Sequence, residues 1–136
     1  MDTSILVYSD DAASSAKQAR AVSLLATHRR DNSLVVSLQV LQEYYAATTR
    51  KFEGDSPPGA EQGWKLSPGA GWSVSPNADV IAAIELHRLS ATRISFWDAM
   101  IVHAARLANA SVLFSEDLSH GSTLSGVTVR NPFAEQ

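Results

Sequence analysis

Apolar residues recur with helical spacing in four parts of the chain and form short continuous runs in three others. Three- and four-residue spacing predicts helices over residues 12–30, 37–51, 75–89 and 95–107. The apolar runs at 34–36, 111–114 and 127–129 predict short strands, whereas residues 5–8 fit either a strand or the first turn of a helix. Strands that alternate with helices indicate an α/β fold with a parallel sheet.

Residues 53–76 interrupt this pattern. The segment holds five of the seven glycines and four of the five prolines of the chain. No helical or alternating period is compatible with that density of glycine and proline. We therefore expect one domain over residues 1–136 with an irregular Pro/Gly-rich insertion at 53–76, which is long for a compact domain.

Composition narrows the class of protein. The 136 residues include no cysteine, which excludes disulfide scaffolds, Cys-ligated metals and thiol catalysis. The second residue is an acid, where a signal peptide requires a basic segment, and the most apolar stretch, residues 99–114, is interrupted by polar side chains. The expectation is a cytoplasmic protein that does not bind a membrane.

Four acidic residues fall near predicted strand ends or helix starts: Asp2, Glu43, Asp98 and Asp117. Sites in open parallel sheets lie at the carboxyl ends of the strands, so these side chains are candidates for one cluster. Clustered carboxylates repel one another unless a cation neutralises them. Oxygen ligands without cysteine suit Mg²⁺ or Mn²⁺.

Each acid also has a structural interpretation. Asp98 stands three residues after Ser95, the spacing of a capping box. Asp117 could be a turn residue ahead of a glycine, Glu43 could be a surface acid, and Asp2 could be a mobile terminal residue. The metal-site hypothesis therefore rests on the joint placement of the four acids.

Several blocks of the sequence resemble PIN-domain ribonucleases, and most closely the VapC-type toxins of bacterial toxin–antitoxin pairs. The blocks are Asp2–Tyr8, Val36–Glu43, Ser95-Phe96-Trp97-Asp98-Ala99, Leu113–Gly121 and Gly126–Phe133. The resemblance covers residues 1–52 and 74–133. Two features depart from the family pattern: only Met1 precedes the first acid, where the family has a central strand, and residues 53–76 replace a region that is normally helical.

The resemblance implies a three-layer α/β/α fold with a central parallel sheet flanked by helices. It places Asp2, Glu43, Asp98 and Asp117 at the metal-binding and catalytic positions, with Ser4, Ser115 and Glu116 as outer-shell residues. The implied activity is Mg²⁺- or Mn²⁺-dependent endonucleolytic cleavage of RNA. The implied partners are an RNA substrate, an antitoxin protein and a second copy of the chain in a homodimer.

The net charge of −3 gives no broad basic face for nucleic acid. If four of the 14 acids are metal ligands, the remaining ten face 11 basic residues, so the acidity is largely that of the site itself. The alternative hypothesis is a catalytically impaired PIN-like protein that acts as a binding or antitoxin-titrating module.

Overall fold

The computed structural model describes residues 1–51, 71–73, 77–89 and 94–134. The helices and strands alternate only in part, and a short 3₁₀ turn at Ala12–Ser14 precedes the second helix. The elements are α1 (Thr3–Asp10), α2 (Ser15–Arg30), β1 (Val35–Ser37), α3 (Leu38–Lys51), β2 (Gly71–Ser73), α4 (Asn77–Leu89), α5 (Phe96–Leu107), β3 (Val112–Phe114), β4 (Thr123–Leu124) and β5 (Val127–Arg130).

Side-chain caps fix where several helices begin. The carboxylate of Asp2 accepts a hydrogen bond from the amide of Thr3, which starts α1 and assigns residues 5–8 to a helix. The hydroxyl of Ser37 accepts from the amide of Val40 at 3.3 Å, as predicted for the start of α3. Ser95 and Asp98 form the predicted capping box of α5, in which each side chain binds the other's backbone amide.

The mixed α/β class is confirmed, but the described strands form two small sheets where one parallel sheet was expected. β1 and β2 pair in parallel. In the second sheet β5 lies between β3 and β4, parallel to β3 and antiparallel to β4. Because α5 packs against β1, β3 and β5, one helix contacts both sheets.

The first two residues occupy the space between the sheets. The amino group of Met1 donates to the carbonyl oxygen of Val35 in β1 at 3.2 Å. The amide of Asp2 donates to the carbonyl oxygen of Phe114 in β3 at 3.0 Å. Consecutive residues of an extended chain point to opposite sides, so these two bonds are those of a strand between β1 and β3.

Two predictions of local structure need correction. In the segment predicted as an insertion, Gly71–Ser73 form strand β2, because they pair with β1; the other residues of 53–76 lie outside the described part. The predicted apolar face of α2 is largely exposed, and Val22 keeps 48% of its surface; Ala21 is instead the buried residue of that helix. The core is built mainly from α5 and from the strands that α5 covers.

Candidate functional site

Asp2 is buried, with 5% of its surface exposed, and is held from two directions. One carboxylate oxygen accepts from the amide of Thr3 at 2.6 Å, and the other accepts from the hydroxyl of Ser115. Burial raises the pKa of Asp2, these two hydrogen bonds oppose the rise, and the negative charge of Asp117 adds to it. The terminal position of Asp2 is therefore fixed, in contrast to the mobile residue that its place in the sequence allowed.

Ser115 joins the first and last acids of the set. It follows β3 directly and is completely buried. While its hydroxyl donates to Asp2, the same oxygen accepts from the amides of Asp117 at 3.2 Å and Leu118 at 3.4 Å. This arrangement orients the loop after β3 and brings Asp117 close enough to influence the charge of Asp2.

Glu43 lies next to the start of α1. One of its carboxylate oxygens accepts from the hydroxyl of Thr3 at 2.6 Å, and the other accepts from the side-chain amide of Gln39, one helical turn earlier, at 2.8 Å. The side chain is half-buried, so the interpretation of Glu43 as a simple surface acid is wrong. Because Thr3 follows Asp2 directly, the second predicted ligand lies beside the first.

Asp98 faces the last acid across a cleft. Asp98 and Asp117 both line a cavity of about 320 Å³, together with Ser95 and Leu118. Asp98 is also engaged by Ser95, whose hydroxyl donates to it at 2.6 Å. Asp98 is therefore part of the cap of α5, and the bond from Ser95 fixes its carboxylate beside the cleft.

The four acids are connected in series. Asp2 and Glu43 are linked through Thr3, Asp2 and Asp117 are linked through Ser115, and the cleft joins Asp117 to Asp98. Among the residues that the structure describes, no three His, Asp or Glu side chains lie close enough together to hold a metal ion.

The outer-shell candidates divide into three cases. Ser115 has the bridging position described above. Glu116 forms an ion pair with Lys17, whose ammonium also lies 3.0 Å from the hydroxyl of Tyr8, so Glu116 belongs to a different cluster. The hydroxyl oxygen of Ser4 is buried and has no hydrogen-bond partner in the described part of the chain.

The donor set fits Mg²⁺ or Mn²⁺ in its chemistry. The acids supply only oxygen, the atom type that these hard cations prefer. A cation would neutralise the charge of Asp117, which adds to the rise that burial causes in the pKa of Asp2. The buried hydroxyl of Ser4, two residues after Asp2, is the kind of unsatisfied group that a hydrated cation can bind.

Thr3 and Gln39, which hold the carboxylate of Glu43 in place, are not among the site residues predicted from the sequence. Thr3 has no recognisable spacing from Glu43, 40 positions away, and only the packing of α1 against α3 brings them together. Gln39 stands four residues before Glu43, a spacing from which the contact could have been predicted.

No protein-family model matches the chain, and no curated protein is significantly similar to it. Within the described ranges, none of the helices combines the length and the apolar character needed to cross a bilayer.

Proposed function

We propose that this protein is a metal-dependent endoribonuclease of the PIN-like class and the toxin of a toxin–antitoxin pair. The observation that carries the proposal is the placement of the four acids near the start of α1, the loop after β3 and the start of α5. The first and last of these acids, Asp2 and Asp117, are 115 positions apart in sequence. The three-layer fold with one central parallel sheet belongs to the same proposal.

In this proposal Asp2, Glu43, Asp98 and Asp117 hold Mg²⁺ or Mn²⁺. When bound, such an ion supplies an activated water and neutralises charge that develops on the phosphodiester oxygens. Ser115 keeps Asp2 and Asp117 in position, and Thr3 does the same for Glu43. Asp98 and Asp117 would hold the ion at the cleft that both of them line.

Exposed apolar side chains support the proposed homodimer and the proposed antitoxin partner. Ile81 and Ile84 on α4 keep 60% and 41% of their surface exposed, and Trp97 at the start of α5 keeps 62%. Since α4 packs against α5, these residues belong to neighbouring elements. Large exposed apolar groups mark protein interfaces, which fits a homodimer and an antitoxin partner.

The experiment compares growth after induction of the wild type and of Asp98→Asn, followed by mapping of the RNA ends. Asparagine keeps an oxygen that can accept the Ser95 bonds, so the helix cap survives while the ligand charge is lost. We expect growth arrest and defined RNA ends with the wild type only. Toxicity that persists unchanged in Asp98→Asn contradicts metal-dependent cleavage as its cause.

Ser95→Ala is the matched control. It removes the capping hydroxyl but keeps the acid, and a lost cap costs about 1 kcal/mol of stability. If Asp98 acts only as a cap, Asp98→Asn, which keeps the cap, cleaves RNA like the wild type, and any loss of cleavage appears only in Ser95→Ala. If Asp98 is a ligand, only Asp98→Asn abolishes cleavage.

A catalytically impaired, PIN-like binding module is the second candidate. The observation that favours it is that the Pro/Gly-rich residues 53–76 replace a region that is normally helical in the family that the sequence resembles. That function predicts antitoxin binding with no RNA cleavage in either metal. A small open reading frame directly upstream that encodes a DNA-binding antitoxin supports the partner claim for both candidates.

A further inference from the structure

A charged cluster lies beside the loop that follows β3. The ammonium of Lys17, on the first turn of α2, forms an ion pair with the carboxylate of Glu116. Glu116 stands between Ser115, which is completely buried, and Asp117, which lines the cleft. The ion pair therefore binds the segment of chain that carries one of the proposed metal ligands.

The position of the Lys17 ammonium is fixed by two aromatic rings. It donates a hydrogen bond to the hydroxyl of Tyr8 at 3.0 Å. It also lies 4.4 Å from the centre of the Tyr8 ring and 5.3 Å from the centre of the Phe133 ring. The two rings meet edge to face, with 5.1 Å between their centres. An ammonium held over aromatic rings gains a cation–π attraction that an isolated surface ion pair lacks. Lys17 is therefore anchored to α1 and to the segment after β5 as well as to Glu116.

Glu116 and Asp117 are consecutive acids with different surroundings. The carboxylate of Glu116 contacts Lys17, whereas Asp117 lines the cleft that Asp98 also lines. The amide of Asp117 is bound at 3.2 Å by the buried hydroxyl of Ser115. The loop thus has two anchors: Ser115 holds its backbone from the interior, and Lys17 holds it from the α2 side through Glu116.

The ammonium also removes a conflict between the two neighbouring carboxylates. Like charges on adjacent residues repel, and an unpaired Glu116 would stand next to Asp117 at a site that already collects acids. Without Lys17, nothing would neutralise Glu116 or keep its carboxylate away from a cation at the cleft. The loop would then have one anchor in place of two.

We propose that Lys17 is a positioning residue of the metal site, which holds Glu116 away from the cleft and thereby keeps Asp117 directed towards it. The inference rests on the proposed function, because it assigns Lys17 a role towards the cation that the four acids would hold. The effect passes through Glu116 and the loop backbone. Groups that support metal ligands from outside in this way change metal affinity by about 10–100-fold when they are removed.

The test measures Mn²⁺ binding to the metal-free full chain by isothermal titration calorimetry, without RNA. We expect Lys17→Met to weaken Mn²⁺ binding at least about tenfold, because Asp117 loses one of the two anchors of its loop. Lys17→Arg keeps the positive charge and the donors, and we expect it to bind Mn²⁺ close to the wild-type level.

Arg20→Ala is the matched control. Arg20 lies three residues after Lys17 on the same helix, and its Nε donates to the carbonyl oxygen of Pro132 at 3.0 Å, away from the loop of Glu116. This variant loses one positive charge, as Lys17→Met does, but keeps both anchors of the loop. We expect its affinity for Mn²⁺ to remain that of the wild type.

The sign of the change separates positioning from simple charge. Removal of a positive charge makes the surroundings of the site more negative, which strengthens the binding of a cation. If Lys17 contributed charge alone, Lys17→Met would therefore bind Mn²⁺ more tightly than the wild type. Loss of positioning has the opposite effect on the affinity.

A double-mutant cycle tests the route through Glu116. It adds Glu116→Ala and the double variant Lys17→Met/Glu116→Ala to the series. If Lys17 acts through Glu116, the double variant binds Mn²⁺ no more weakly than Glu116→Ala alone. Circular dichroism verifies that each variant folds, and Lys17→Gln, which keeps a polar side chain, provides a second substitution at the same position.

The outcomes distinguish this inference from the proposed function. Wild-type protein that binds Mn²⁺, with equal or tighter binding by Lys17→Met and Lys17→Gln, overturns the inference and leaves the proposed function standing. An equal loss of affinity in Arg20→Ala, or additive losses in the cycle, also overturns the inference alone. Wild-type protein that binds no Mn²⁺ overturns both.

Discussion

Replacement of Ser115 by alanine tests whether the site depends on this one buried hydroxyl. The hydroxyl donates to the carboxylate of Asp2 and accepts from the amides of Asp117 and Leu118. A hydrogen bond to a charged group contributes about 1.5–3 kcal/mol, and each of the two longer bonds contributes about 0.5–1 kcal/mol. We therefore expect Ser115→Ala to lower the free energy of unfolding by roughly 2.5–5 kcal/mol, with little added cavity, since only an oxygen is removed.

The assay is urea denaturation at pH 7.5 in EDTA. Ser119→Ala provides the matched control, because Ser119 is an exposed serine in the same loop, and surface substitutions change stability by about 0.5 kcal/mol or less. If Ser115→Ala and Ser119→Ala differ by less than that amount, the bridging role of Ser115 is refuted. The same variant should also lose RNA cleavage, since it releases both Asp2 and the loop that carries Asp117.

Three further predictions concern the start of α1 and the residues that contact it. The pKa of Asp2 is raised in the folded state, so protonated Asp2 stabilises the fold below the unfolded pKa, and this stability is lost as pH rises through the folded pKa. In urea denaturation with EDTA, the free energy of unfolding of Asp2→Asn should therefore increase relative to that of the wild type from pH 4 to 7.5. Burial lowers the pKa of the Met1 amine from 8.0 to about 6. The free energy of unfolding should therefore fall by about 2–3 kcal/mol as pH falls from 8 to 6, because the unfolded chain binds the proton first. Acetylation of Met1 should remove this loss in the same assay. Thr3→Val removes the hydroxyl that donates to the carboxylate of Glu43 and should cost about 1.5–3 kcal/mol in urea denaturation, whereas Thr3→Ser, which keeps the hydroxyl, should cost less.

Local signals in the sequence predicted those parts of the fold that depend on neighbouring residues. Ser37 and Ser95 begin helices because their side chains bind amides three residues later, and this spacing is visible in the sequence. The runs at 112–114 and 127–129 form strands because they are apolar, β-rich and bounded by turns.

Contacts between distant segments could not be predicted from local patterns in the sequence. The apolar positions of α2 predicted a helix but not which face is buried, because burial depends on where α1 lies, and Val22 ended on the exposed side. Strand β2 is only three residues long and forms by pairing with β1, which no local pattern indicates.

The site shows the same difference between local signals, which the sequence contains, and contacts between distant segments, which it does not. The residue types and their positions near strand ends identified the four acids, and the described structure brings Asp2 and Asp117 to one serine. Thr3, which supports Glu43, could not be identified because the contact depends on the packing of α1 against α3. Glu116 was adjacent to the site in sequence only, since its carboxylate binds Lys17.

The most direct test of the nuclease proposal is RNA cleavage by the purified, folded chain in Mg²⁺ or Mn²⁺, with EDTA and Asp98→Asn as controls. The proposal predicts cleavage that EDTA abolishes and that Asp98→Asn reduces at least about a hundredfold, the scale on which a positioned catalytic charge acts. Folded wild-type protein that cleaves no RNA in either metal contradicts it.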